Sequence, residues 1–435
     1  MWARNRSNKT SAWTLVATIA GLALGASCFS PAQAASPSFG SIRPYGGQRG
    51  TEIEVTLNGA RLGDAQELLL YDEGIQVTSW AVESDTAVKA KLAIAPDCRL
   101  GIHRMRVRSG TGISELRTFH VGALPEISEA EPNSEFAEPQ VIEPGVTING
   151  VVESEDVDYF ALDLKQGQRI TAEVEGIRLG TTFFDPYVAI MDQGRFELTG
   201  SDDAALVRQD GVATMLVPED GRYVIQLRES AFGGSGACIY RLHVGHFPRP
   251  AAIFPLGGKP GETIEGRWLG DAAGERTQSF TLPTEPGDEH GLFAEDEQGI
   301  APSPNEVRVN PLENTNEVEP NNAVAEATPA TVPGAMNGII GEAGDIDRFK
   351  FSAAKGQVLD INVYARRLRT PLDPGLNILK ADGGGVAGND DSGGPDSYVI
   401  FTAPEYGEYL IQVRDHLGDG GPAYAYRVEV SPPAA

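Results

Sequence analysis

A long segment of this chain occurs twice, and that duplication constrains its fold more than any other feature. Glu129-Ala-Glu-Pro-Asn133 recurs as Glu317-Val-Glu-Pro-Asn321, and the match then runs on in order. Asp156-Val-Asp-Tyr-Phe160 answers Asp345-Ile-Asp-Arg-Phe349, Gly167-Gln168 answers Gly356-Gln357, and Asp185-Pro186 answers Asp373-Pro374. Asp202-Asp203 answers Asp390-Asp391; Pro218, Gly221 and Tyr223 answer Pro404, Gly407 and Tyr409; Tyr240 answers Tyr426. Chance does not preserve both order and spacing over such a length, so a domain has been duplicated. The preceding segments are also alike: Pro44-Tyr-Gly-Gly-Gln-Arg-Gly50 parallels Pro255-Leu-Gly-Gly-Lys-Pro-Gly261, and Leu62-Gly-Asp64 parallels Leu269-Gly-Asp271.

The expected organisation is therefore A–B–A′–B′, with A at 36–123, B at 124–246, a shorter and degenerate A′ at 247–315, and B′ at 316–435. A length of 435 residues exceeds one ordinary core and suits such a chain of modules. The local pattern is strand-like. Tyr223-Val-Ile-Gln-Leu227 and Tyr409-Leu-Ile-Gln-Val413 put apolar side chains on one face at period two. Tyr240-Arg-Leu-His-Val244 and Tyr426-Arg-Val-Glu-Val430 do the same, with charges on the other face. The 51 glycines and 29 prolines supply turns between short strands. No long helical periodicity interrupts them after the leader, so the fold class is all-β, a multi-domain chain of β-sandwiches. The stretch from Thr284 to Asn305, rich in Pro, Glu, Asp and Gly, reads as partly loop.

Residues 1–34 read as a signal peptide: Arg4, Arg6 and Lys9, then an apolar run from Ala12 to Phe29, then Ala32-Gln33-Ala34 for cleavage near Ala34. A secreted, periplasmic or cell-envelope location follows, with no membrane span in the mature chain. Cys28 would suit a lipoprotein, but Gly25 stands where a lipidation signal carries leucine. Loss of three positive charges takes the net charge from −26 to −29. That charge opposes nucleic acid, which is held by clustered Lys and Arg. Cys98 and Cys238 remain, in what read as different modules, so two small buried thiols are favoured over a disulfide.

The repeated segments resemble the bacterial pre-peptidase C-terminal domain, a jelly-roll-like sandwich related to clostridial collagenase collagen-binding domains. The likeness rests on Glu-x-Glu-Pro-Asn, Asp-x-Asp-x-Phe, the Asp-Pro turn, the Asp-Asp loop and the closing Gly-x-Tyr-x-Ile-x-Leu/Val strand. Modules A and A′ are more loosely similar to immunoglobulin-like TIG domains, whose opening motif Thr51 completes in A and Glu262 interrupts in A′.

The acidic motifs have a chemistry of their own. In an extended segment residues i and i+2 point the same way, so Glu129 with Glu131, and Glu317 with Glu319, can converge on one ion. Asn133 and Asn321 add neutral oxygens, and Asp156 with Asp158, and Asp345 with Asp347, repeat the spacing at a turn into a strand. An all-oxygen set without His or Cys suits calcium rather than softer metals. The family resemblance implies the same ligands: Glu129, Glu131, Asn133, Asp156 and Asp158 in B, and Glu317, Glu319, Asn321, Asn322, Asp345 and Asp347 in B′. Ser134 replaces the second asparagine in B, which weakens that copy.

No catalytic constellation emerges. Asp391-Ser-Gly-Gly-Pro395 imitates the surround of a trypsin-like nucleophile, but Asp390 replaces the expected glycine and the other copy reads Asp202-Asp203-Ala204. His243 and His246 fall on opposite sides of a strand and its exit, a poor zinc pair. The Thr181–Tyr187 stretch gathers three aromatics near a turn; packing is their commoner role, a ligand platform the sharper one. The expectation is a non-catalytic extracellular binding or scaffolding protein with calcium-stabilised modules and a protein or polysaccharide partner. The alternative is an accessory region serving a secreted peptidase or other hydrolase.

Overall fold

The computed structural model describes residues 36–392 and 394–433. The signal peptide assigned above lies outside them. Among the described residues the chain is built of strands and four single 3-10 turns. Among the described residues no helix is long and apolar enough to cross a membrane.

The two repeats share one topology. In the first, one sheet has the order Glu126–Ser128, Val146–Val151, Ile239–Gly245, Arg169–Glu175, Val212–Leu216. The other runs Gln140–Val141, Val157–Leu164, Gly221–Glu229, Pro186–Met191, Glu197–Ser201. In the second repeat Asn314–Asn316, Gly334–Ile339, Ala425–Ser431, Val358–Tyr364 and Tyr398–Thr402 follow the first order. Thr328–Pro329, Asp347–Ala353, Gly407–Asp415, Pro374–Lys380 and Gly385–Asn389 follow the second. The period-two residues meet between the sheets: Tyr223, Ile225, Leu227, Tyr240, Leu242 and Val244 share one core, and Tyr409, Ile411, Val413, Tyr426, Val428 and Val430 another.

A four-stranded and a five-stranded sheet precede the first repeat, and two three-stranded sheets lie between the repeats. The stretch read as partly loop contains the strand Gly287–Leu292 and two two-residue strands, Glu295–Asp296 and Gly299–Ile300. Backbone pairing with Asn305–Val309 orders the first of these despite its polar composition.

The charged faces of the two closing strands do not meet water. Arg241 is 1% exposed and Arg427 wholly buried. Arg241 pairs with Glu126 and Glu175, and His120 from the preceding sheets lies 3.3 Å from Glu175. A Cβ on Gly46 would stand 2.6 Å from the Arg241 guanidinium, so the glycine lets that module close onto the arginine. Arg308 grips Glu429 at 2.9 Å with both Nε and Nη2, and Arg427 adds a 2.8 Å bond to the same carboxylate. Between the first repeat and the next sheets, Arg249 pairs with buried Glu173, and Arg169 with Asp271 and Asp296. Strong desolvation makes such ions stable only when paired. Each module junction therefore has a fixed geometry.

Candidate metal centre

The strap leading into each repeat is pinned by the same bonds. The Glu129 amide donates to the Asn149 carbonyl at 3.0 Å, and the Ala130 amide to Gln140 Oε1 at 2.8 Å. In the second repeat Glu317 N donates to Asn337 O at 2.9 Å and Val318 N to Thr328 Oγ1 at 3.0 Å. Glu129 Oε1 accepts from the Val151 amide and Glu317 Oε1 from the Ile339 amide, each at 2.8 Å. Glu131 and Glu319 accept from the amides of Asn133 and Asn321. Both Glu-Pro bonds that follow are cis.

These contacts gather three carboxylates in each repeat. One oxygen each from Glu129, Glu131 and Asp158 lies within 4.8 Å of the others, and Glu317, Glu319 and Asp347 form the same group. Asp158 is wholly buried, and neither of its oxygens has a hydrogen-bond partner. Glu317 Oε2 and Asp347 Oδ1 are likewise buried and unpartnered. Asn133 is wholly buried with both amide atoms unpaired, while Asn321 uses Oδ1 on the Arg348 amide at 3.3 Å. Buried polar atoms left so are rare and costly without a partner. Burial, aided by neighbouring carboxylates, pushes Glu129 up to about 7 and Asp158 up to about 8. Burial raises Glu317 and Asp347 in the same direction, with repulsion from Asp347 adding to it at Glu317 and repulsion from Asp345 and Glu319 at Asp347. A hard cation answers both the missing partners and the repulsion; the donor set is all oxygen, and exposed Glu131 and Glu319 leave it open to solvent.

Of the sequence-derived candidates, Asp156, Asp345 and Asn322 take a different place. Asp156 Oδ1 accepts from Ser134 Oγ at 2.8 Å and the Val157 amide at 2.9 Å. Asp345 accepts from the Gly341 and Ile346 amides, and Asn322 Oδ1 from the Ile346 amide at 3.2 Å. These residues precede the strand, so the i, i+2 argument does not reach them; they brace the turn that presents Asp158 and Asp347. Ser134 and Asn322 do the same bridging by different bonds.

The repeat that carries this turn and its strand also matches known sequences. Residues 345–415 match the family model described as "Bacterial pre-peptidase C-terminal domain". This segment is a pre-peptidase C-terminal domain. The chain is also 35% identical over 111 residues to a probable subtilase-type serine protease of Deinococcus radiodurans, a match covering 25% of this chain and 15% of that protein. The solved pre-peptidase C-terminal domain of collagenase from Bacillus anthracis aligns at 20% identity over 26% of this chain and all of its own, with a TM-score of 0.21. The secreted serine protease VesC from Vibrio cholerae aligns at 9% identity over 46% of this chain and 48% of its own, with a TM-score of 0.18.

Two site positions in each repeat escaped the sequence reading. Tyr240 donates to Glu129 Oε2 at 2.7 Å, and Tyr426 in the second repeat donates to Asp347 Oδ2 at 2.7 Å. Gly150 and Gly338 sit in strands where an added Cβ would stand 2.2 Å from Glu129 Oε2 and 2.4 Å from Glu317 Oε2. Their signal was the shared Asn-Gly at 149–150 and 337–338 and the shared closing tyrosine. Elsewhere, Ser392 Oγ accepts from Asn389 Nδ2 at 2.6 Å and His416 lies 2.9 Å from Asp390; among the described residues no hydrogen bond joins Ser392 to His416. His243 is held by Thr147 and His246 by the Arg169 carbonyl. Cys98 and Cys238 are free, buried and in separate cores. In the aromatic stretch Phe184 is buried and Phe183 is 76% exposed.

Proposed function

We propose that this is an exported, non-catalytic binding or scaffolding protein in which each repeat holds one calcium ion. The first repeat is on this reading a second pre-peptidase C-terminal domain. Glu129, Glu131 and Asp158 would hold one ion, with Asn133 adding a neutral oxygen; Glu317, Glu319 and Asp347 would hold the other. The observation that carries the reading is the cluster of three carboxylates in each repeat, with both Asp158 oxygens buried and unpartnered in the first and Glu317 Oε2 and Asp347 Oδ1 buried and unpartnered in the second. The ion would screen these charges and fix the strap. That strap begins at Glu126, which pairs with Arg241, so an ordered ion site also steadies the adjoining module. Calorimetric titration of the full chain should give two calcium sites, with Kd on the order of 10⁻⁴–10⁻³ M, as in extracellular modules. Asp158→Asn and Asp347→Asn should each remove one. Absence of binding heat, together with unchanged melting in chelator, would remove calcium from this account.

A second reading, favoured by the 35% identity to a subtilase-type protease, makes the chain an accessory region that works beside a secreted peptidase. The ligand in either case is an extracellular protein or polysaccharide. Pull-down with the mature chain in millimolar calcium separates the two. Recovery of a peptidase supports the accessory role; recovery of a structural protein or glycan supports scaffolding.

A further inference from the structure

Residues of both repeats, of the module before the first and of the module between them line one cavity of about 520 Å³, within the range that holds small organic ligands. Its charged lining is Arg99, Arg178, Arg208 and Arg369 against Glu175 and Glu306, a cationic excess in a chain of net charge −26. Leu100, Ile102, Leu206, Val207 and Phe293 form an apolar wall. His120 also lines it, 2% exposed, with Nδ1 set against Glu175 and Nε2 buried without a hydrogen-bond partner. His290, on the opposite module, likewise has a buried, unpartnered Nε2.

Two of the arginines hold backbone conformations that non-glycine residues avoid. Arg369 has φ 66° at the end of a 3-10 turn where the first repeat has Gly180 at φ 67°. Arg208 closes another such turn at φ 69° and ψ −108°. Strain of this kind at a cavity wall points to function. The charges are not equivalent. Arg178 is spent on Glu173, Asp210 and Ser303, and Arg99 on Asp72 and two carbonyls. The Arg208 guanidinium makes no hydrogen bond or ion pair among the described residues.

We infer that this inter-module cavity binds a carboxylate carried on a short apolar body. Arg208 takes the carboxylate, the His120 Nε2 edge supplies a second polar contact, and the Leu100–Leu206–Phe293 wall covers the chain. Phe293 is the one Phe, Tyr or Trp among the lining residues, so a flat sugar-stacking surface is lacking. A small aliphatic acid and the C-terminus of a short apolar peptide share the chemistry required. The inference does not depend on calcium.

The test is calorimetric titration of the full chain with hexanoate, with hexanol, with N-acetyl-leucyl-leucine and with its C-terminal amide. Binding of an acid but not of its neutral counterpart is expected, and which acid binds identifies the source. Arg208→Gln should weaken that binding about tenfold, the loss of roughly one charged hydrogen bond. Arg208→Gly should abolish binding while raising the melting temperature, because glycine relieves the backbone. Equal binding of neutral and acidic probes, equal competition by inorganic phosphate, no binding by any probe, or an Arg208→Gln variant that binds like the parent would each overturn it.

Discussion

At the residue scale, the carboxylate groups set a conflict that burial sharpens and a cation resolves. Asp158 and Glu129 are raised from ordinary carboxylate values near 4 to about 8 and about 7. A carboxyl whose folded pKa is raised contributes stability that is complete below its unfolded pKa and is lost as pH climbs through the folded value. Calcium-free protein should therefore melt at a lower temperature at pH 8 than at pH 5.5, and calcium should raise the melting temperature more at pH 8. Thermal scans with calcium and with chelator at both values check this; a larger calcium effect at the acid end contradicts it. Asp158→Asn should flatten the calcium-free slope. Gly150 tests packing at the same place: in Gly150→Ala the new methyl meets Glu129 and Tyr240. We expect destabilisation of about 1–3 kcal/mol and the loss of one of two calcium sites in titration.

At the scale of the element, the strand Ile239–Gly245 has no solvent side. Tyr240, Leu242 and Val244 enter the sandwich core, while Arg241 and His243 enter the junction with the neighbouring module. The alternation was legible as period two, but an identical pattern on an edge sheet would face water. Removing one partner of a buried pair costs more than replacing the whole pair with apolar groups. Arg241→Ala should accordingly cost about 3–5 kcal/mol in chemical denaturation, because Glu175 and Glu126 lose their cation. Arg222, on the exposed face of a neighbouring sheet, should cost under about 0.5 kcal/mol when changed to alanine. Equal losses at the two positions would show that the junction contributes nothing.

At the scale of the molecule, paired ions at each junction replace the loose linkers that a chain of modules suggests. Arg249 and Glu173 are both fully buried between the first repeat and the sheets that follow. Arg249→Ala should leave each sandwich folded but free the two halves, which small-angle scattering would read as a larger radius of gyration. Limited proteolysis should then cut near 246–251 in the variant and not in the parent chain. An unchanged scattering profile would place the rigidity elsewhere.

Duplication, all-β character and most of the acidic cluster were written in the sequence, because each depends on local spacing. Glu129 and Glu317 directly follow a strand, and Glu131 and Glu319 stand two residues on, at the spacing from which their convergence was expected. Asp158 and Asp347 were readable as strand-start acids, but their neighbours Asp156 and Asp345 were not separable from them, since the turn reverses direction between the two. Tyr240, Gly150 and the arginine-lined cavity depend on residues brought together from strands far apart in the chain. Whether a charged strand face meets water or another module is decided by what packs against it, and only the assembled sheets supply that partner.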